Sequence, residues 1–349
     1  MALRIRRGTN LSHWLSQSPR RGADRRNFLT RADLDRIADW GLDHVRLPVD
    51  EEQLWDSGNR QEPEAWDLMD WCLDACEKAG LRVIVDLHIL RCHYFNAVEQ
   101  PPLFTDPAAV ERFCRCWEEL SERLSGRSNE QVAYEPLNEP VARDPQDWNR
   151  VLKTVYGTLR GREPARTIVW GSNWFNSVEQ FDRLTLPAGD PNLLLTFHFY
   201  HPMLITHYRA SWWRDGAAYA GPVRYPGRPI AEADFAALEP DLKLKLERWN
   251  GHFDRSTLGS LLEKPLAASK SSGLPLHCGE FGCLDTVSPE TRAAWYADIL
   301  SLFDEHGIAW SNWDYRGRFG LVDQAGQLTT AATSLLGPAA AGTLAASGQ

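Results

Sequence analysis

Short runs rich in apolar and β-branched residues recur along the chain at 3–10, 41–49, 81–88, 131–139, 167–173, 193–200, 275–281 and 308–315. Several are nearly continuous rather than alternating, which is the pattern of strands buried on both faces and so of a parallel sheet. Between them, apolar positions recur at helical spacing. Thr30 can cap a helix that carries Leu34, Ile37 and Ala38 on one face and stops at Gly41. Asp106-Pro107, Asp144-Pro145 and Ser288-Pro289 each set a capping side chain before a proline in the first helical turn, where a missing N–H costs nothing. Gly80, Gly126 and Gly307 stand where such helices should stop.

Eight strands alternating with helices predict an α/β chain folded as a closed (β/α)8 barrel, by the right-handed crossover rule. An open doubly wound sheet is the alternative, but no Gly-x-Gly-x-x-Gly turn follows the first strand. The expected organisation is one barrel domain over 1–336, with a long loop at 201–274 after strand six. A small-residue tail at 337–349 is expected to be flexible.

Composition narrows the classes of partner. With 43% hydrophobic and 24% charged residues the chain reads as globular with a sizeable core. A formal net charge of -9 argues against nucleic acid and anionic membranes, which draw on concentrated Lys and Arg. The one basic cluster, Arg20, Arg21, Arg25, Arg26 and Arg31, reads as a solvated face. Seven cysteines, an odd number at spacings foreign to zinc sites, read as reduced structural thiols. No charged start leads into an apolar run and no stretch is long enough to span a bilayer, so a cytoplasmic protein is expected, with a secreted protein whose signal peptide has been removed as the alternative.

The candidate chemistry lies at strand ends. Glu139, in Tyr134-Glu135-Pro136-Leu137-Asn138-Glu139-Pro140, and Glu280, in Leu276-His277-Cys278-Gly279-Glu280-Phe281-Gly282, each close a strand-like run. Two carboxylates on different strands can divide labour, one protonated as a donor and one ionised as a nucleophile, as glycosidic bond cleavage needs. An Asn-Glu-Pro tripeptide alone is weak, since chance produces one in roughly one chain in twenty of this length. Arg46, His88, Asn138, His198, Tyr200 and Trp313 fall at the C-terminal ends of other expected strands, the end where barrel enzymes do their chemistry. A metal site built from Asp86, His88, His93, His198 and His201 would not explain the glutamate motifs, so no metal and no cofactor are expected.

These residues carry a resemblance to glycoside hydrolase family 5, a large family of retaining β-glycosidases. The resemblance runs from Arg7-Gly8-Thr9-Asn10 to Trp313. It implies Glu139 as general acid/base and Glu280 as nucleophile. Arg46 in Val45-Arg46-Leu47-Pro48, His88 in Asp86-Leu87-His88, Asn138, His198 and Tyr200 in Phe197-His198-Phe199-Tyr200, and Trp313 in Trp310-Ser311-Asn312-Trp313 fill the supporting places. In that arrangement Arg46 keeps Glu280 ionised and oriented, Tyr200 donates to the same carboxylate, and Asn138 meets the substrate 2-hydroxyl. His88 and His198 bind sugar hydroxyls or tune Glu139.

Fifteen tryptophans are many for this length, and sugars offer C–H faces that stack on aromatic rings. Trp313, with Trp14, Trp174, Trp212 and Trp213, is a candidate platform, whereas Trp40, Trp66, Trp71, Trp117, Trp148 and Trp295 fall in helical patterns and read as core. The loop at 89–105, with His93, Tyr94 and Asn96, is expected to wall the site opposite the 201–274 insertion. The resulting expectation is a retaining hydrolase of β-glucosidic linkages, endoglucanase-like, whose partner is a β-linked oligosaccharide. An exo-acting β-glucosidase, a transglycosylase and a non-catalytic sugar-binding barrel are the alternatives, and oligomeric state is left open.

Overall fold

The computed structural model describes residues 3–337. The eight strands are β1 (Arg7–Asn10), β2 (His44–Asp50), β3 (Arg82–Ile89), β4 (Val132–Glu135), β5 (Ile168–Gly171), β6 (Leu193–Phe199), β7 (Leu276–Phe281) and β8 (Ala309–Asn312). They follow one another in sequence order around a closed barrel. The ladders from β1 to β6 are parallel, and β2 and β3 share the longest register, from His44 opposite Arg82 to Asp50 opposite Ile89. Every residue of β2, β6 and β7 is buried, as the continuous apolar runs require.

Eight runs therefore become eight strands, most of them shorter than their runs. The consequential difference is at β4, which ends at Glu135 and leaves Glu139 beyond the ladder. Pro136 has no N–H to continue the pairing. The segment after it is held otherwise: the Trp117 indole donates to the Pro136 carbonyl at 2.9 Å, and Asn138 N–H donates to the Leu87 carbonyl at 3.4 Å.

The helices that carry the connections start where the sequence marks them. Side chains of Asp106, Asp144 and Ser288 accept from Ala108, Gln146 and Thr291 N–H at the starts of Pro107–Leu124, Pro145–Arg162 and Pro289–His306. Thr30 and Asp33 form a reciprocal capping box on Arg31–Asp39. Gly307 closes Pro289–His306 in a left-handed conformation, φ 64°, which a side chain would disfavour.

The chain divides into two compact units. The first runs to His198 and takes in Lys264–Gly279 and Ala309–Ser311. Near the N-terminal ends of its strands, Leu3, Ile84, Ala133, Val169 and Leu194 form a buried apolar cluster, while polar residues occupy the later strand positions. The second spans Phe199–Glu263, Glu280–Ile308 and the described chain from Asn312 onward. In it the long connection after β6 is a string of short helices, among them Met203–Thr206, Arg214–Ala217, Glu232–Ala236 and Pro240–Leu246, with a core of Leu204, Tyr219, Ile230 and Leu246. The stretch expected as a loop at 201–274 also contains the helices Arg255–Leu261 and Glu263–Ser272 that lead into β7. The tail expected at 337–349 lies, beyond Gly337, outside the described residues.

One surface expectation is corrected. Arg25 is not part of a solvated face: it is fully buried and donates to Glu62 at 2.7 Å and to Gln53 at 3.0 Å, with Glu64 also on its guanidinium. A buried guanidinium needs its charge and donors met, and the two glutamates around the start of Pro63–Lys78 meet them. All seven cysteines are free thiols. Among the described residues, no helix is long and apolar enough to cross a membrane.

Candidate active site

In the first unit the polar groups build outward from Arg46. Its guanidinium is fully buried in β2 and bonds both oxygens of Glu135, at 2.7 and 2.9 Å, with Asp86 Oδ2 at 3.0 Å. It also donates to Asn10 Oδ1 at 3.0 Å and to Asn138 Oδ1 at 2.8 Å. Burial pushes Asp86 and Glu135 each up to about 7, with Arg46 pulling the other way. The two carboxyls thus share one cation in a dry interior, so each resists a full negative charge. Glu135 and Asn10 were not singled out in the sequence; their signal is position, at the ends of β4 and β1.

Asn138 is thereby oriented from two directions, by Arg46 at its side chain and by the Asn176 amide at its carbonyl, 3.4 Å. Next in the chain, Glu139 Oε1 lies 2.7 Å from Nδ1 of His198 in β6. Burial drives the His198 ring well below the usual histidine range, so it is a neutral hydrogen-bonding group. A neutral partner supports either protonation state of a carboxyl, unlike a cation, which would favour only the anion.

His88, in β3, sets its Nδ1 2.6 Å from Asp86 Oδ2 and its Nε2 2.8 Å from the Gln17 amide nitrogen. Gln17 is a group that sequence reasoning missed. The β5 end carries a left-handed run, Trp174, Phe175 and Asn176 at φ 57°, 61° and 56°, held by Phe175 N–H to the Pro140 carbonyl and by Asn173 to both backbone groups of Ala142. Trp174 is left 51% exposed.

In the second unit the Tyr200 hydroxyl donates to Glu280 Oε2 at 3.0 Å. Glu280 is buried in β7, directly after Gly279, where an added Cβ would meet Thr196 Oγ1 at 2.9 Å. The Tyr200 ring packs edge-on against His207 and Phe319, at 4.8 and 6.0 Å between centroids. Trp313 is 8% exposed in a cluster with Ala210, Leu284 and Phe319, and its peptide to Asp314 is cis. Trp212 stays 53% exposed, its ring 6.4 Å from Phe319.

Three expected positions change character. His93 is buried against Phe104, burial lowers it to about 3, and neither ring nitrogen has a hydrogen-bond partner among the described residues; it packs under its loop rather than presenting a donor. Trp14 is buried and donates to the Arg25 carbonyl at 2.7 Å, so it is core rather than platform. Trp213 packs edge-on against Trp249. Asp86, His88 and His93 form no metal-ligand group among the described residues, because Asp86 is committed to Arg46 and His88.

Comparison with known proteins agrees with this picture at two levels. The fold is that of solved barrel enzymes: endoglucanase Cel5A of Thermotoga maritima superposes with a TM-score of 0.76 at 22% identity, over 94% of this chain and 96% of that one. That protein has also been solved with mannotriose and with cellobiose. Cellulose synthase subunit Z of Clostridioides difficile gives a TM-score of 0.75 at 19% identity, over 95% of this chain and 98% of that one. In sequence, the model of the cellulase family, glycosyl hydrolase family 5, matches residues 8–318. Endoglucanase C of Acetivibrio thermocellus is 30% identical over 88% of this chain and 90% of its own length, and Cellodextrinase A of Ruminococcus flavefaciens is 28% identical over 87% and 84%. The chain belongs to glycosyl hydrolase family 5 and is a glycoside hydrolase.

Proposed function

We propose that the protein is a retaining hydrolase of β-glucosidic linkages, cutting β-glucan or cello-oligosaccharide chains in the manner of an endoglucanase, with Glu280 as nucleophile and Glu139 as general acid/base. The observation that carries the reading is the family match over 8–318, with Glu280 near the end of β7 and Glu139 on the segment that follows β4. The local chemistry supports the division of labour. Glu280 accepts from a phenol, which favours its charged form as an attacking group, whereas Glu139 is paired with a neutral imidazole.

In the first step Glu139 gives its proton to the glycosidic oxygen as that bond breaks, and a Glu280 oxygen bonds to the anomeric carbon, forming a glycosyl ester. In the second step Glu139 takes a proton from water, whose oxygen attacks the same carbon and releases Glu280 as carboxylate. The sugar keeps its anomeric configuration after two inversions. Asn138, held by Arg46, is the group for the 2-hydroxyl, a contact that strengthens as charge builds at the anomeric carbon. Exposed Trp174 and Trp212 are the stacking surfaces for further sugars.

Time-resolved product analysis of reducing-end-labelled cello-oligosaccharides and manno-oligosaccharides tests this reading. Internal cuts of the glucose series, lost by about 10³-fold in Glu280→Ala, are expected. Stepwise release of single sugars, or turnover of the manno series alone, would replace it.

A further inference from the structure

Glu139 stands where the barrel gives it no ladder. β4 ends at Glu135, and residues 136–142 belong to no strand or helix. Pro136 and Pro140 have no N–H with which to extend the pairing, so the buried backbone around Glu139 must find its partners elsewhere. The turn at 172–177, which follows β5, supplies several of them.

That turn grips the chain on both sides of Glu139. The Asn176 amide donates to the Asn138 carbonyl at 3.4 Å, and Phe175 N–H donates to the Pro140 carbonyl at 3.2 Å. The Asn173 side chain accepts from Ala142 N–H at 3.0 Å and donates to the Ala142 carbonyl at 2.8 Å. The same turn also reaches the group paired with the carboxyl. Ser177 makes an isolated parallel bridge to His198, whose Nδ1 lies 2.7 Å from Glu139 Oε1. One short segment therefore holds both the chain that carries the carboxyl and the chain that carries the imidazole.

The turn holds this shape against its own preferences. Trp174, Phe175 and Asn176 are left-handed in succession, a conformation that aromatic residues disfavour and that persists only where surrounding bonds over-determine it. Ser172 Oγ donates to the Ser177 carbonyl at 2.6 Å across the base of the turn, and Asn173 and Asn176 are both buried. A Cβ on Gly171 would fall 2.3 Å from Asn176 Oδ1, so a glycine there makes room for the amide that reaches Asn138.

We propose that Asn173 and Asn176 are positioning residues for proton transfer, holding Glu139 against His198 in the orientation from which its proton reaches the glycosidic oxygen. The proposal rests on the reading of Glu139 as general acid/base given above. Neither asparagine touches the sugar in this role; each acts through the chain beside Glu139. Proton transfer is steep in position, and a misplacement of about 1 Å can cost about 10²-fold in rate.

The test compares kcat/KM, which covers the steps up to the glycosyl ester, for the wild type, Asn173→Ala, Asn176→Ala and Glu139→Gln on two substrates. The leaving group of 2,4-dinitrophenyl β-cellobioside departs without a proton, whereas the sugar leaving group of cellotetraose needs one. Asn173→Ala is expected to lose about 10- to 100-fold on cellotetraose and less than about threefold on the aryl glycoside. Asn176→Ala gives up one long bond and should lose about 3- to 10-fold on cellotetraose alone. A merely structural role would lower both substrates together, because a smaller folded fraction leaves their ratio unaltered. Should Asn173→Ala fail to fold, Asn176→Ala carries the test, with the melting temperature as the check. Equal losses on both substrates, or a ratio within twofold of wild type in both folded variants, would overturn the positioning role. If Glu139→Gln keeps the wild-type ratio, or the wild type turns over neither substrate, the acid/base reading falls and the proposal with it. If Glu139→Gln loses cellotetraose alone while the asparagine variants keep the ratio, the positioning role alone falls.

Discussion

The Tyr200 hydroxyl donates to Glu280 Oε2 at 3.0 Å, and the tyrosine ring is wedged edge-on against His207 at 4.8 Å. His207 is half-buried and, lowered to about 4 by desolvation, uncharged at neutral pH, so it packs against the phenol as a neutral ring. The donor is thus fixed on the carboxyl proposed as the nucleophile. In the proposed mechanism the phenol would stay on Glu280 as the ester forms and would stabilise the carboxylate that leaves in the second step.

Tyr200→Phe keeps the ring and deletes this donor. Steady-state rates on an aryl β-cellobioside should fall about 10- to 100-fold in kcat, the value of a hydrogen bond to a charged group, with little change in KM. A loss under threefold would mean that the phenol does not act on the reacting carboxylate.

Glu139→Gln tests the proton donor. On a substrate with a poor leaving group the rate should fall by about 10³-fold; on one that leaves unaided, formation of the ester should persist and the alkaline limb of its pH profile should disappear. An unaltered alkaline limb would move the donor role to another group.

The Arg46 cluster predicts a pH effect on stability. Burial raises Glu135 from its ordinary 4.5, and Asp86 from 3.8, each to about 7, so the folded protein binds protons that the unfolded chain has released. The stabilisation is complete below the unfolded values and is lost as pH rises through about 7. Between pH 5 and 7 the unfolding free energy of the wild type should therefore decline relative to Glu135→Gln, by no more than about 1.4 kcal/mol per pH unit for one proton. Chemical denaturation at several pH values measures it, and parallel curves would show that the buried carboxyls do not take up a proton on folding.

Trp174 stands half exposed on a left-handed turn laced to the segment after Glu139. Trp174→Ala should raise KM several-fold for oligosaccharides long enough to reach it, the loss of about 1 kcal/mol of stacking, while leaving shorter aryl glycosides and the melting temperature unaltered. Equal effects on short and long substrates would place the tryptophan outside the sugar path.

The strands and their order were legible because burial on both faces writes continuous apolar runs, and the helix starts were legible because Asp-Pro and Ser-Pro pairs have a local mechanism. Glu280 was legible as the close of an apolar run. The exit from β4 was not, since the run through Leu137 conceals a ladder that Pro136 ends. Arg25 and Arg46 show what composition and strand position omit: Arg25 looked solvated, and nothing local to Arg46 announced its carboxylate partners. Their bonds to Glu62, Glu64, Glu135 and Asp86 depend on chain segments tens of residues away. Gln17 carries no motif at all; its left-handed backbone and its contact with His88 exist only once the chain is folded.

The most direct test of the account is to trap the ester. Incubation with an activated 2-deoxy-2-fluoro β-cellobioside, which forms the intermediate faster than water removes it, followed by peptide mass spectrometry, should find a single 2-fluorocellobiosyl group per chain attached at Glu280. A label on another residue would reassign the nucleophile, and full activity with no covalent adduct would contradict the double displacement.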